Sequence, residues 1–147
     1  MFVTPVDFGT PAHAETVRLR HKVIHQPLNV EVTPDSLSQE YQDVHFALYA
    51  ANCFLLGCAV LRTNAQKPSI VHLRQVSIRQ EYQRKGLGAK LIKAIERHAL
   101  GNNFKQIHLL AHKGAVPFYA SQGFKRYGNV TRVAGLKHYS MRKKLAK

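Results

Sequence analysis

Acidic residues are scarce in this chain. Asp and Glu number 8 among 147 residues, against 22 Lys and Arg, for a formal charge of +14. An imbalance of this size draws a protein toward something anionic, whether phosphate, nucleic acid or an acidic surface. Cysteine is nearly missing: Cys53 and Cys58 are the two present. Five residues apart in a strand-like segment, they fall on opposite faces, so no disulfide is expected and reduced cytosolic thiols are the default. Long apolar runs are missing too. The longest, Cys53 to Leu61, is broken by Gly57 and falls short of the ~18 residues of a membrane span. The N-terminal stretch MFVTPVDFGTPAHAETVRLR has no charged start followed by an apolar segment, so no secretory signal is predicted. Apolar residues at 45 % and charged residues at 20 % are the mix of a folded globular protein and argue against a disordered basic tail. The length is about one domain's worth. No repeat, linker or low-complexity stretch divides it, so residues 1–147 are expected to form a single cytoplasmic domain.

The pattern along the chain is mixed α/β. Phe2 to Val6 reads as a short strand, and Pro11 to His25 as a helix with Thr10 as its cap. Gln26 to Glu40, with Pro27, Pro34, Asp35 and Ser36, reads as a loop. His45 to Ala50 and Cys53 to Thr63 flank the turn-like Ala51-Asn52 and predict a hairpin. Ile70 to Ile78 alternates as a strand. Leu91, Ile92, Ile95, Ala99 and Leu100 recur at helical spacing after Gly88, and Gly101-Asn102 stops that helix. Gln106 to Ala111 is a further strand and Val116 to Gln122 a short helix ended by Gly123. Phe124 to Tyr127 and Lys137 to Leu145 close the set.

The most informative segment is Gln83-Arg84-Lys85-Gly86-Leu87-Gly88-Ala89, between a strand and an amphipathic helix. Two glycines at alternate positions permit unusual dihedrals and bring backbone N–H groups close to a ligand. The following helix points unpaired N–H groups and its positive dipole end at the same place. Arg79, Arg84 and Lys85 add full charges, which makes an anion site fit for a pyrophosphate. The dinucleotide fingerprint needs a third Gly or Ala where Leu91 stands, and a nucleotide P-loop needs Lys then Ser or Thr where Ala89-Lys90 stands.

The spacing Gln83-x-x-Gly86-x-Gly88 instead resembles the signature of the GNAT acetyltransferase superfamily. Around it, Leu73-Arg74-Gln75-Val76-Ser77-Ile78 is similar to the family's central strand. Ala115-Val116-Pro117-Phe118-Tyr119-Ala120-Ser121-Gln122-Gly123-Phe124 is similar to its second motif, and His138 to Leu145 to its last strand. The resemblance covers nearly the whole chain. It implies a mixed, mostly antiparallel central sheet flanked by helices, with acetyl-coenzyme A as cosubstrate, an amine as acceptor and no metal.

By the same resemblance, Gln83, Arg84, Lys85, Gly86, Leu87, Gly88 and Ala89 would hold the pyrophosphate. Val76, Ser77 and Ile78 would bind the pantetheine arm and the acetyl carbonyl beside a splay between the central strand and the next. An N–H of Val76 or Ile78 would stabilise developing negative charge. Tyr119 would protonate the departing thiolate, which suits a phenol that is still protonated at neutral pH. His112 stands where many members carry an Asn that contacts the pantetheine arm; an imidazole can still donate there.

The family often places a Glu on the central strand or its neighbour as general base, but no carboxylate stands between Asp43 and Glu81. His45, His72, His108 and His138 are the candidates, with direct loss of the proton to water as the alternative. The segment Arg18 to Pro27, rich in Arg, His and Lys, would flank the acceptor cleft. It suits an amine that also bears a carboxylate or phosphate, and would repel a polycation. Arg142, Lys143, Lys144 and Lys147 read as a solvated strand end. Two other functions fit the composition: a basic nucleic-acid or ribosome-associated binding module, and a coenzyme A sensor without turnover. Against the first, Phe118, Tyr119 and Phe124 lie in a cofactor motif and do not interleave with a basic stripe. Monomer and homodimer are both compatible with the sequence.

Overall fold

A computed structural model describes residues 1–25, 37–133 and 135–146. The sheet contains β1 (Phe2–Val6), β2 (Val44–Tyr49), β3 (Leu55–Thr63), β4 (Ile70–Ile78) and β5 (Gln106–His112), followed by β6 (Lys125–Arg126), β7 (Thr131–Val133) and β8 (Leu136–Lys144). The helices are α1 (Pro11–Arg20), α2 (Leu87–Gly101) and α3 (Val116–Ser121), and a π-helical turn over His21–His25 continues α1. The strands run in the order β1-β2-β3-β4-β5-β8-β6, with β7 pairing β8. Every pairing is antiparallel except β4 with β5. A parallel pair needs a crossover, and α2 supplies it. The expected mixed, mostly antiparallel sheet is the observed one.

Local signals account for most of these elements. Thr10 Oγ1 accepts from the His13 N–H at 3.2 Å and Pro11 opens α1, a side-chain cap followed by a residue whose missing N–H costs nothing there. Leu87, Leu91, Ile92, Ile95 and Ala99 are buried on one face of α2, against Phe46, Leu61, Val71, Leu73, Ile107 and Met141 of the sheet. Each Leu or Ile so buried contributes roughly 1.5–3 kcal/mol. Asn102 and left-handed Asn103 (φ 67°) then end the helix, and the Phe104 N–H closes on the Ala99 carbonyl at 3.0 Å. On the opposite face of the sheet, Leu19 packs with Ala47, Leu55 and Cys58.

Three expectations change. The helix predicted over Pro11 to His25 is α-helical only to Arg20. A π-helical turn over His21–His25 follows and packs against β4, where His25 meets Gln75. Cys53 belongs to the β2–β3 turn, left-handed at φ 63° and exposed, whereas Cys58 is buried in β3. The two thiols are free, but strand alternation applies to only one of them. β7, three exposed residues, carries no alternation that a sequence reading could find. The loop predicted from Gln26 lies largely outside the described residues, as do Gln26, Pro27 and Lys147.

Gly57 fixes how closely β3 approaches β4. A Cβ there would lie 2.8 Å from the Ser77 carbonyl oxygen and 2.7 Å from Ile78 Cδ1. Since one of those atoms is backbone, the strands must separate to admit a methyl group. Gly57→Ala is expected to cost about 2 kcal/mol, read as a lower urea midpoint with an unchanged m-value.

Candidate functional site

The glycine turn opens α2 without any of the usual ways of neutralising a helix start. Gly86, at φ +78°, is its N-cap and makes no side-chain cap bond, and no acidic residue stands in the first turn. The Lys90 N–H reaches the Gly86 carbonyl at 3.2 Å, so the N–H groups of Leu87, Gly88 and Ala89 lack an intrahelical acceptor. Exposed Arg84 and Lys85 precede them, with Arg84 itself left-handed at φ 63°. Cations beside a positive helix end are mutually unfavourable, and a bound anion relieves this. A Cβ on Gly86 would meet nothing within 4 Å, so the cradle is open on the side where a ligand would sit. Gly88 has a different reason. Its added Cβ would lie 3.0 Å from Phe118 Cζ, so its smallness admits the aromatic ring of α3. Arg79 is partly committed elsewhere: its Nε donates to the Leu55 carbonyl at 2.9 Å and its guanidinium lies over Phe54.

The strand leading to this turn is irregular where the resemblance calls for it. Cys58 pairs with Ser77 but Val60 pairs with Arg74, so Gln75 and Val76 together oppose Ala59. Gln75 takes φ 57° in this bulge. On the other side, β4 pairs with β5 only from Ile70–Leu73 to Gln106–Leu109. Beyond that point the strands diverge, and residues 74–78 and 110–112 face each other across a gap. The Arg79 N–H bonds the Leu56 carbonyl at 2.8 Å, and alternation along an antiparallel ladder then turns the peptide groups of Ile78 away from β3 and toward the gap. The Ile78 carbonyl accepts from Gln83 Nε2 at 2.9 Å, which ties the glycine turn to the strand end and leaves the Ile78 N–H directed at the opening. Ser77 is buried and pairs with β3, and its Oγ donates to the Gln75 carbonyl at 3.3 Å. The three strand residues named from sequence thus divide by orientation.

Tyr119 is buried between Phe118 and Phe124, with ring centroids 5.0 and 5.8 Å away. Burial pushes its phenol up to about 12, so it holds its proton across the physiological range. No hydrogen-bond partner for its Oη occurs among the described residues. His112 ends β5 beside the gap, opposite His138 of β8 at 6.3 Å between rings. Burial and then His138 lower its pKa, which keeps the imidazole neutral at pH 7.

The four histidines considered as bases have other engagements. His45 is buried, with Nε2 donating to the Glu40 carbonyl at 2.9 Å. His108 Nε2 donates to Gln106 Oε1 at 2.9 Å and its Nδ1 accepts from Tyr127 Oη at 3.0 Å. His72 packs edge-on against it, where β4 and β5 are still paired. His138 Nδ1 donates to the Leu136 carbonyl at 3.0 Å, which leaves its Nε2 for other work. Tyr127 and Tyr139 each lie under an arginine, Arg142 and Arg126, so they are already stacked.

Of the cationic segment, Arg18, His21 and Lys22 line one cleft together with Glu15, Leu37 and Arg79. Under α1, His13, Glu40 and His45 bring potential ligand atoms within 4.8 Å of one another. That donor set is partly committed, with His13 Nε2 left without a partner. Arg20 holds both Glu40 oxygens, His45 Nε2 is taken, and His13 Nδ1 accepts from the Gly9 N–H. The sequence reading missed the Arg20–Glu40 pair, whose partners are twenty residues apart with no signal connecting them.

Comparison with known proteins agrees with this geometry. An acyl-CoA N-acyltransferase from Pseudomonas aeruginosa superposes with a TM-score of 0.81 at 17 % identity, over 97 % of this chain and 98 % of that one. An aminoglycoside 6'-N-acetyltransferase solved with coenzyme A gives 0.80 at 13 %, over 100 % and 98 %. N-acetylglutamate synthase from Neisseria gonorrhoeae, solved with coenzyme A and N-acetyl-glutamate, gives 0.78 at 16 %, over 100 % of this chain and 36 % of that one. The acetyltransferase (GNAT) domain family matches residues 17–145. Taken with the diverging strands and the uncapped glycine turn, that match makes the chain a member of the GNAT acetyltransferase family.

Proposed function

We propose that the protein transfers an acetyl group from acetyl-coenzyme A to an amine by direct attack. The observation that carries this reading is the start of α2: an uncapped helix terminus with left-handed residues and two cations, built to receive a pyrophosphate. Acetyl-coenzyme A supplies an activated acetyl thioester. On this chain the Leu87, Gly88 and Ala89 N–H groups, with Arg84 and Lys85, would hold the diphosphate. Gln83 would keep the turn against β4. Val76 and Ile78 would line the pantetheine path with His112, and the Ile78 N–H would face the acetyl carbonyl oxygen as negative charge develops there. Tyr119 would give its hydrogen bond to the departing sulfur.

Arg18, His21, Lys22 and Arg79 favour an acceptor that carries a carboxylate or phosphate beside its amine. The same surface would repel polyamines.

Gly86→Glu tests the cofactor site. The new carboxylate would occupy the open cradle and neutralise the field that attracts phosphate. The left-handed backbone adds a strain of about 1–2 kcal/mol, which a folded domain tolerates. Calorimetric affinity for acetyl-coenzyme A is expected to fall at least roughly 100-fold, the loss of a charge-assisted phosphate contact together with a new repulsion. Equal affinity in the native and variant proteins would remove the pyrophosphate from this turn.

A further inference from the structure

The cationic cleft encloses about 740 Å³, room for a small molecule. Its lining comes from α1 and the turn that continues it, except for Leu37 and Arg79, and Arg79 directly follows the end of β4. Three permanent cations, Arg18, Lys22 and Arg79, stand there against one carboxylate, Glu15. Among the described residues Arg79 forms no ion pair, with Glu15 or with any other carboxylate.

Arg79 differs from the other two cations in how firmly it is held. Its backbone N–H donates to the Leu56 carbonyl at 2.8 Å and its Nε to the Leu55 carbonyl at 2.9 Å. Its guanidinium carbon lies 4.5 Å from the centre of the Phe54 ring. Phe54 is itself fixed in the β2–β3 turn: its N–H donates to Asn52 Oδ1 at 3.2 Å and its carbonyl accepts from the Ala50 N–H at 2.9 Å. The ring is 42 % exposed, so burial in the core does not account for its position. These contacts occupy Nε and one face of the guanidinium, and among the described residues nothing accepts from Nη1 or Nη2. Two N–H donors in a fixed fork match the paired oxygens of a carboxylate or phosphate. The ring and the carbonyl immobilise the side chain beforehand, so little rotamer freedom is lost when an anion binds. Two aromatic rings separate this fork from the cofactor turn. Phe54 meets Tyr82 at 6.2 Å between centroids, and Lys85 Nζ lies 5.5 Å from the Tyr82 centroid. Arg79 and Lys85 stand at the two ends of that series of contacts, one in the cleft and the other at the start of α2.

Resting on the transferase reading above, we infer that Arg79 is a bidentate clamp for the carboxylate or phosphate of the acceptor, and that Phe54 is the residue that positions it. Arg79 directly follows Ile78, whose N–H that reading aims at the acetyl carbonyl. An acceptor gripped by the fork therefore has its amine within a small molecule's length of the thioester. The sequence groups Arg79 with Arg84 and Lys85 around the pyrophosphate; its place in the cleft and the two intervening rings give it to the acceptor. Phe54 carries no signal in the sequence, because its partner is twenty-five residues further on and meets it only through the β3–β4 pairing.

The test uses full-length protein, acetyl-coenzyme A and three amines, β-alanine, phosphoethanolamine and propylamine, with thiol release as the readout. The first two carry an oxyanion and the third carries none. The native protein is expected to favour β-alanine or phosphoethanolamine over propylamine in kcat/KM by at least about tenfold, and the faster of the two identifies the oxyanion. Arg79→Gln should lower kcat/KM for that probe about 10–100-fold and abolish the preference, with calorimetric affinity for acetyl-coenzyme A retained. Arg79→Lys keeps the charge without the fork and should recover at most about a tenth of the loss. Phe54→Leu should raise KM for the anionic probe about 3–10-fold without lowering kcat, and Phe54→Tyr, which keeps the ring, should not. A merely structural Phe54 would not single out the anionic probe. The clamp is overturned by a native protein that binds acetyl-coenzyme A and prefers neither anionic probe, or by an Arg79→Gln protein that keeps the preference. It is also overturned if Arg79→Gln loses affinity for acetyl-coenzyme A, which returns Arg79 to the diphosphate. A preference unaltered by Phe54→Leu overturns the positioning role. Failure of the native protein to bind acetyl-coenzyme A overturns the transferase reading and the clamp with it.

Discussion

Tyr119→Phe is expected to lower kcat for acetyl transfer roughly 10²–10³-fold, the range for loss of a positioned proton donor, with acetyl-coenzyme A affinity unchanged. The substitution removes one oxygen from a ring packed between Phe118 and Phe124, so the aromatic contacts persist. Among the described residues that oxygen bonds to nothing in the protein, and its loss leaves no orphaned partner. Stability should therefore hold to within about 0.5 kcal/mol. A fall in kcat without a change in binding or stability is the signature of an interaction made only as the sulfur departs. Steady-state thiol release, calorimetry and urea unfolding of the one variant supply all three quantities. With the phenol pushed up to about 12 by burial, Tyr119 stays protonated and contributes no limb to the activity profile below about pH 10. Full activity in Tyr119→Phe would mean that the thiolate leaves to solvent.

Glu40→Ala is expected to destabilise the fold by about 3–5 kcal/mol, because it leaves a buried guanidinium without its carboxylate. Arg20 is 2 % exposed and donates through both terminal nitrogens to the two Glu40 oxygens, while its Nε has no partner. At 2 % exposure the guanidinium has little solvent to replace what Glu40 supplies. Against a total stability of about 5–15 kcal/mol the loss is severe, and the urea midpoint should show it directly. The double replacement Arg20→Met/Glu40→Leu removes both charges and substitutes apolar volume. It should recover much of the loss, which separates the cost of a stranded charge from the worth of the pair. A Glu40→Ala protein as stable as the native one would show that solvent enters beneath α1.

Much of this protein is local in origin, and local features are legible in a sequence. Thr10-Pro11 starts α1, the 3.6-residue spacing of Leu91, Ile92, Ile95 and Ala99 makes α2, and Gly101-Asn102 ends it. Gln83, Gly86 and Gly88 mark a turn suited to an anion, because backbone freedom and helix polarity depend on adjacent residues alone. Even so, the sequence assigned Gly86 and Gly88 one purpose, whereas packing gives them two: one is left-handed and open, the other admits Phe118 thirty residues away. The divergence of β4 from β5 depends on pairing across the whole sheet. The Arg20–Glu40 pair and the meeting of His25 with Gln75 depend on which residues the fold brings together, fifty apart in the second case. Neither periodicity nor spacing contains that information. By itself the sequence determined most of the helices and marked the glycine turn; the tertiary structure decided that Arg20 meets Glu40 and that His25 meets Gln75, because those contacts join segments that no local pattern connects.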